Sequence, residues 1–249
     1  RGATWNDGVL FEYDPATDTF LKLENLNDSS NVSEPYGRLV QADNGKLYGM
    51  SENGGDNYKG TIFEYDYTTN NLEVKVSFSN HRPKGSLLKA NNGKLYGITV
   101  YGGANNKGIL FEYVPDSLTY TKKFDFDGIN GESPYGSIIQ ASNGKLYGMT
   151  TFGGLTTSYA TYLSSGVLFE YDLTNDTYDK KFDFNFSYSG SKPYGSIIKA
   201  NNGKLYGMTK EGGINDFGVI FEFDPSNNTY SKIFDFNGNN GKHPVGDLT

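Results

Sequence analysis

Five glutamates occupy one place in a recurring stretch: Glu12, Glu64, Glu112, Glu170 and Glu222 each stand in Gly-Val-Leu-Phe-Glu-Tyr-Asp or a close variant of it. Paired carboxylates can cleave a glycosidic bond, one protonating the leaving oxygen while the other attacks or activates water. Identical placement in every copy argues for a different role. A repeated residue serves the unit that repeats, so the expectation is a carboxylate held by a Lys, Tyr or backbone donor of a neighbouring strand. Unrepeated acids are the better candidates for acid-base work. Glu52, Asp56, Glu211 and Asp216 lie in suitable loops, with no diagnostic pairing in sequence.

Asp125-Phe126-Asp127-Gly128, with Asn130 and Glu132, offers closely spaced oxygen ligands that suit calcium, with Asp125 and Asp127 as the central pair. Corresponding positions keep Asp183 and Asn185, and Asp235 and Asn237, but the second repeat has Ser77 and Ser79. An ordinary Asx-stabilised turn is therefore the competing expectation. No other cofactor is indicated. His81 and His243 lie in equivalent crossovers without a close acidic or third nitrogen partner, and read as solvated loop histidines. The Gly-Gly pairs join strands and precede no helix, so they are not phosphate loops.

Aromatic residues collect in one class of loop: Trp5, Tyr58, Tyr101, Phe152, Tyr159, Tyr162 and Phe217. Flat rings beside Asn and Asp side chains can stack on the apolar face of a sugar while the polar neighbours bond its hydroxyls. The alternative is that several pack their own loop. Trp5 is the sharpest candidate because it is the single Trp of the chain.

The elements that must position these residues are legible from two repeated stretches. Asn-Gly-Lys-Leu-Tyr-Gly begins at Asn44, Asn92, Asn143 and Asn202, and the Glu-bearing stretch begins at Gly8, Gly60, Gly108, Gly166 and Gly218, at intervals of 52, 48, 58 and 52 residues. A period near 50 with this content points to kelch-like propeller blades. Within one copy four β-prone runs follow one another: Gly136 to Ala141, Lys145 to Thr150, Val167 to Asp172 and Tyr178 to Phe184. The Asn-Gly pair between the first two is a strong hairpin signal. Length varies mainly at one end of the unit, in the loop from second to third strand and in the crossover between copies. That face is the place for function.

The expected fold is an all-β propeller of four-stranded antiparallel blades, one domain spanning residues 1–249. Five repeats are visible, either as a five-bladed ring or as part of a larger propeller. The third strand occurs five times but the second only four, which would leave a closed ring with an exposed central edge. The sequence thus reads as cut from a longer array or as lacking a short connecting segment. Arg38 and Asp247 stand where other copies have Ser86, Ser137 and Ser196. In a closed five-bladed ring they would be neighbours able to pair across the seam.

Composition bounds the partners. Of 249 residues 36% are hydrophobic, with 20 Tyr and 17 Phe supplying apolar area suited to sheets. A net charge of -7, with no basic cluster, disfavours nucleic acid. No apolar run is long enough for a membrane-spanning helix, so no membrane insertion is expected. With no Cys there is no disulfide framework, and the redox compartment is unreadable, as is the oligomeric state.

Asn-Gly-Lys-Leu-Tyr-Gly-Met-Thr, the Gly-Gly loop, Gly-Val-Leu-Phe-Glu-Tyr-Asp and the later Pro-Tyr-Gly resemble the tandem repeats of the choice-of-anchor GloVer family, and more remotely kelch blades. Tyr120, Tyr178 and Tyr230 replace the Trp expected in the last kelch strand. The resemblance covers nearly the whole chain. It implies a secreted or cell-surface bacterial protein whose parent often carries a C-terminal sorting or anchoring segment, and it brings no catalytic residues. The functional expectation is an extracellular binding or adhesion module for a glycan or other cell-surface ligand. A polysaccharide-cleaving enzyme and a passive spacer in a surface array are the alternatives.

Overall fold

A computed structural model of the chain describes residues 8–27, 29–154 and 165–249; Trp5, Tyr159 and Tyr162 lie outside the described residues. Strands, turns and irregular segments make up all of it, with no helix among the described residues. The first complete sheet is built from Val40–Gln41, Leu47–Ser51, Thr61–Asp66 and Asn71–Ser77, antiparallel and in chain order. The next is Leu88–Lys89, Leu95–Thr99, Ile109–Val114 and Thr119–Asp125, and the third is Ile139–Gln140, Leu146–Thr150, Val167–Asp172 and Thr177–Asp183. The fourth is Ile198–Lys199, Leu205–Met208, Val219–Asp224 and Thr229–Asp235. Ahead of them Val9–Asp14 and Thr19–Asn25 form a two-stranded sheet that corresponds to the outer half of a blade. The expected propeller architecture is therefore present, with five blades visible.

The first strand of each blade is much shorter than the run Gly136 to Ala141. Its leading glycine is committed elsewhere, to the centre of the molecule. A Cβ on Gly136 would lie 2.4 Å from the carbonyl oxygen of Gly195, and the same closeness links Gly37 to Gly85, Gly85 to Gly136 and Gly195 to Gly246. Glycine at each step is what lets the five segments converge. A second ladder runs beside it: the N–H of Arg38 donates to Ser86 Oγ at 2.8 Å, Ser86 to Ser137 Oγ at 2.8 Å, Ser137 to Ser196 Oγ at 2.9 Å, and Ser196 to Asp247 Oδ1 at 2.5 Å.

This ladder explains the two departures from serine and corrects the expected ion pair. Asp247 still supplies an acceptor, and that acceptor is taken by Ser196. Arg38 stands at the other end of the series, where its side chain receives no such bond among the described residues. Arg38 and Asp247 line the same central cavity but form no ion pair there. Nothing lies within 4 Å of a Cβ built on Gly246, so the glycine contacts do not continue from Gly246 to Gly37.

The core lies between blades. Tyr48, Met50, Ile62 and Phe78 of one sheet pack on Leu95, Phe111 and Tyr113 of the next, and the equivalent residues repeat this at each following junction. Because both faces of the third strand are covered, that strand is almost wholly apolar; alternation places successive side chains against different neighbours. A one-residue bulge sits at the same point of every third-to-fourth pairing, as at Leu168/Phe169. Such a bulge increases twist and lets the outer strand wrap the edge of the blade.

Gly97 of the second strand lies flat on the Phe111 ring, where a Cβ would come within 2.5 Å of Cζ. Substituting Gly97→Ala is expected to lower stability by about 1–3 kcal/mol through overpacking, read as a shift in the denaturant midpoint. An unchanged midpoint would contradict this packing.

Candidate functional site

The glycines that converge at the centre leave a cavity of about 360 Å³, lined by Tyr36–Arg38, Lys84–Ser86, Tyr135–Ser137, Tyr194–Ser196 and Val245–Asp247. Each of these segments follows a proline, and the residue before that proline has a left-handed backbone in every copy: Glu34 (φ +55°), Arg82 (+47°), Ser133 (+51°), Lys192 (+56°) and His243 (+51°). A side chain disfavours this conformation, and a following proline restricts it further. The surroundings hold it in place. The N–H of Ser133 donates to the Lys107 carbonyl at 2.8 Å, and its own carbonyl accepts from Thr151 at 3.2 Å; Arg82 and Lys192 repeat both bonds. The backbone is thus copied five times while the side chains on it differ.

Five groups around the mouth form a continuous arc. Lys84 Nζ lies 5.2 Å from the Tyr36 ring centre and 5.6 Å from that of Tyr135. Tyr135 meets Tyr194 at 5.1 Å, and Lys210 Nζ sits 5.0 Å from the centre of the Tyr194 ring. Cations over ring faces in this way attract them through the ring quadrupole. The buried Glu52 anchors the arc, with Oε2 3.1 Å from Lys84 Nζ and Oε1 3.6 Å from Arg82 Nη1. Burial pushes the Tyr135 hydroxyl up to about 12, helped by Tyr101 and Tyr194 beside it, so at neutral pH it is a hydrogen-bond donor.

Of the aromatic loop residues that are described, Tyr101 reaches Tyr135. Tyr58 is exposed, with φ +54°. Phe152 pairs through its backbone with Glu132, and Phe217 meets the ring of His243 edge to face, with ring centres 5.5 Å apart. Tyr36, Tyr135 and Tyr194, which the structure does bring together, are missed by a search for unrepeated aromatics because they stand in a repeated Pro-Tyr-Gly. The signal available was the break in that motif at Lys84 and Val245.

Four of the five repeated glutamates are structural. Glu112 accepts from Lys94 Nζ at 2.9 Å and from Tyr96 Oη at 2.6 Å, and Glu64, Glu170 and Glu222 take the equivalent Lys and Tyr. Asn92 in turn donates to Tyr96 Oη at 3.0 Å, tying the hairpin turn to the same cluster. Among the unrepeated acids, Glu211 pairs with Lys192 at 2.7 Å and Asp216 accepts the Gly212 N–H at 2.9 Å. Asp125 accepts from Ala104 at 2.9 Å and pairs with Lys122; Asp127 accepts from the backbone and side chain of Asn130, at 2.7 and 3.0 Å. Those bonds make an Asx turn. Among the described residues no three His, Cys, Asp or Glu side chains are grouped to hold a metal. His81 departs from the solvated reading: it packs on Phe78 at 5.1 Å, and burial lowers its pKa.

The chain belongs to the Gloeobacter/Verrucomicrobia repeat family, whose model matches residues 1–162 and 154–249. No curated protein matches it. Among solved structures it is similar to TolB from Acinetobacter baumannii, with TM-score 0.54 and 12% identity over 91% of this chain and 48% of that one. It is also similar to the tricorn protease, with TM-score 0.50 and 13% identity over 100% of this chain and 21% of that one. The chain thus spans about half the length of TolB and a fifth of that of tricorn. At such identities the likeness shows the propeller fold alone.

Burial by itself would raise the pKa of Glu112, but the bonds from Tyr96 and Lys94 outweigh it and the net shift is downward; Glu64 and Glu170 behave alike. A folded pKa below the unfolded value gives stability that is present above about pH 4.3 and lost as pH falls through the folded value. Urea unfolding between about pH 5 and pH 3 should therefore show a falling midpoint, with a smaller fall in Glu112→Gln. Equal slopes for the two proteins would show that Glu112 carries none of the acid sensitivity.

Proposed function

We propose that this chain is a recognition module that binds glycan at the mouth of the central cavity, on the cell surface or outside the cell. A propeller of repeats fits a binding or a structural module. The observation that carries the more specific reading is the arc of Tyr36, Lys84, Tyr135, Tyr194 and Lys210 around a cavity of about 360 Å³. Ring faces offer stacking area to the C–H face of a sugar, and tyrosine hydroxyls and ammonium groups offer donors to its oxygens. A passive spacer has no use for unrepeated side chains on a repeated, disfavoured backbone. Glu34, Arg82, Ser133, Lys192 and His243 are five different side chains in that position. Cleavage has less support, since Glu52 and Glu211 are both tied to cations. The surface location follows from the family resemblance, in which secreted and anchored proteins are the expectation.

The test is a polysaccharide panel scored for retention and for new reducing ends. Retention without new ends is expected, and Tyr135→Ala should weaken it by about 1–2 kcal/mol, roughly tenfold, with little change in the melting transition. Turnover would overthrow the binding reading; retention by no polysaccharide would favour the spacer.

A further inference from the structure

The serine ladder around the axis uses only half of what its hydroxyls offer. Ser86, Ser137 and Ser196 each accept the N–H of the preceding segment at Oγ, at 2.8, 2.8 and 2.9 Å. A hydroxyl also carries one proton to donate. None of the three has an acceptor for that proton among the described residues, and all three residues line the central cavity together with Arg38 and Lys84.

The charges around the mouth lean the same way. Arg82 and Lys84 share the single carboxylate of Glu52, while Arg38 and Lys210 form no ion pair among the described residues. Against these four cations stand Glu52 and Asp247, and one Asp247 oxygen already accepts from Ser196. The chain as a whole carries a net charge of -7. A cationic mouth on an acidic chain concentrates anions where the rest of the surface repels them. Sugar hydroxyls both donate and accept, so a neutral sugar matches such a row of donors only in part. An oxyanion accepts from all of them, in bonds about twice as strong as neutral ones.

We propose that the glycan taken at this mouth is acidic, and that its carboxylate or sulfate enters the central cavity to meet the hydroxyls of Ser86 and Ser137 and the cations of Arg38 and Lys84. This rests on the reading of the rim as a glycan site and adds the class of sugar. The sugar ring stays above, on Tyr135 and Tyr194, whose ring centres are 5.1 Å apart. Asp247 closes the far end of the ladder, beyond Ser196. Its charge keeps the anion toward Ser86.

The experiment compares polysaccharides of the panel in charged and neutral pairs: pectate with fully methyl-esterified pectin, and a sulfated galactan with its desulfated form. In at least one pair the charged member should bind at least about tenfold tighter, the effect of one bond to a charged group. Added salt should shrink that advantage. Backbone amide signals of Ser86 and Ser137 should shift on binding. Lys84→Gln and Arg38→Gln should each reduce the preference, and Asp247→Ser, which restores the residue of the other copies, should increase it. The Arg38 side chain has no bond to lose among the described residues, so Arg38→Gln keeps its fold and its melting transition. The pair that shows the preference tells carboxylate from sulfate. Equal binding within both pairs would overturn the acidic preference and leave the glycan reading standing; retention of no polysaccharide would overturn both. A preference that survives intact in Lys84→Gln and Arg38→Gln, or that leaves the Ser86 and Ser137 signals unmoved, would put the anion elsewhere and overturn the proposal too.

Discussion

A carboxylate held between two strands, with a lysine and a tyrosine closing over it, is the constraint on which each complete blade depends. A charge taken out of water is costly unless it is paired and fully hydrogen-bonded. Glu112 meets that condition only when the second strand brings Lys94 and Tyr96 to it in register. A slip of one residue would turn both away to the other face and leave the carboxylate unsatisfied. The cluster therefore fixes the register of the hairpin. Asn92, bonded to Tyr96 Oη and to the Lys94 N–H, extends the same control into the turn.

From that fixed register the rest follows. Gly97 falls on Phe111, and Leu95 falls against the preceding blade, so hydrogen bonding within a sheet and packing between sheets are set together. The innermost segments are then free of the sheet, and their glycines and serines approach one another around the axis. The repeat thus encodes a scaffold that ends, at its inner rim, in a short post-proline segment whose backbone is constant. Variation there changes the lining of the cavity without disturbing the core. Lys84 in place of tyrosine and Val245 in place of tyrosine are such variations.

The strands, their order and the structural role of the repeated glutamates were legible in the sequence, because each depends on local pattern or on the logic of repetition. The third strand matches its expected bounds, Val167–Asp172, since an apolar run between a glycine and an Asx turn leaves little freedom. The innermost strand was overestimated because Gly136 and Ser137 look β-prone but serve contacts between blades, which no single-unit pattern reveals. The rim was missed for a related reason. Tyr36, Tyr135 and Tyr194 stand 99 and 59 residues apart in sequence and meet only through the arrangement of the blades. Searching for unrepeated residues drew attention to the outer loops, where Tyr58 and Phe217 each remain with their own unit, and away from a repeated position that becomes a site by convergence. Arg38 and Asp247 were rightly singled out as departures, but the acceptor role of Asp247 in the ladder could be seen only with the backbone in place.

The central claim is that recognition lies on this converged rim. Nuclear magnetic resonance of the chain with a retained glycan tests it directly, by following ring and ammonium signals during titration. The account predicts that the perturbed signals cluster at Tyr36, Lys84, Tyr135, Tyr194 and Lys210, with those of Tyr58 and Phe217 unmoved. Perturbation confined to the outer loops, or to the Asn-Gly turns at the opposite end of the blades, would contradict it.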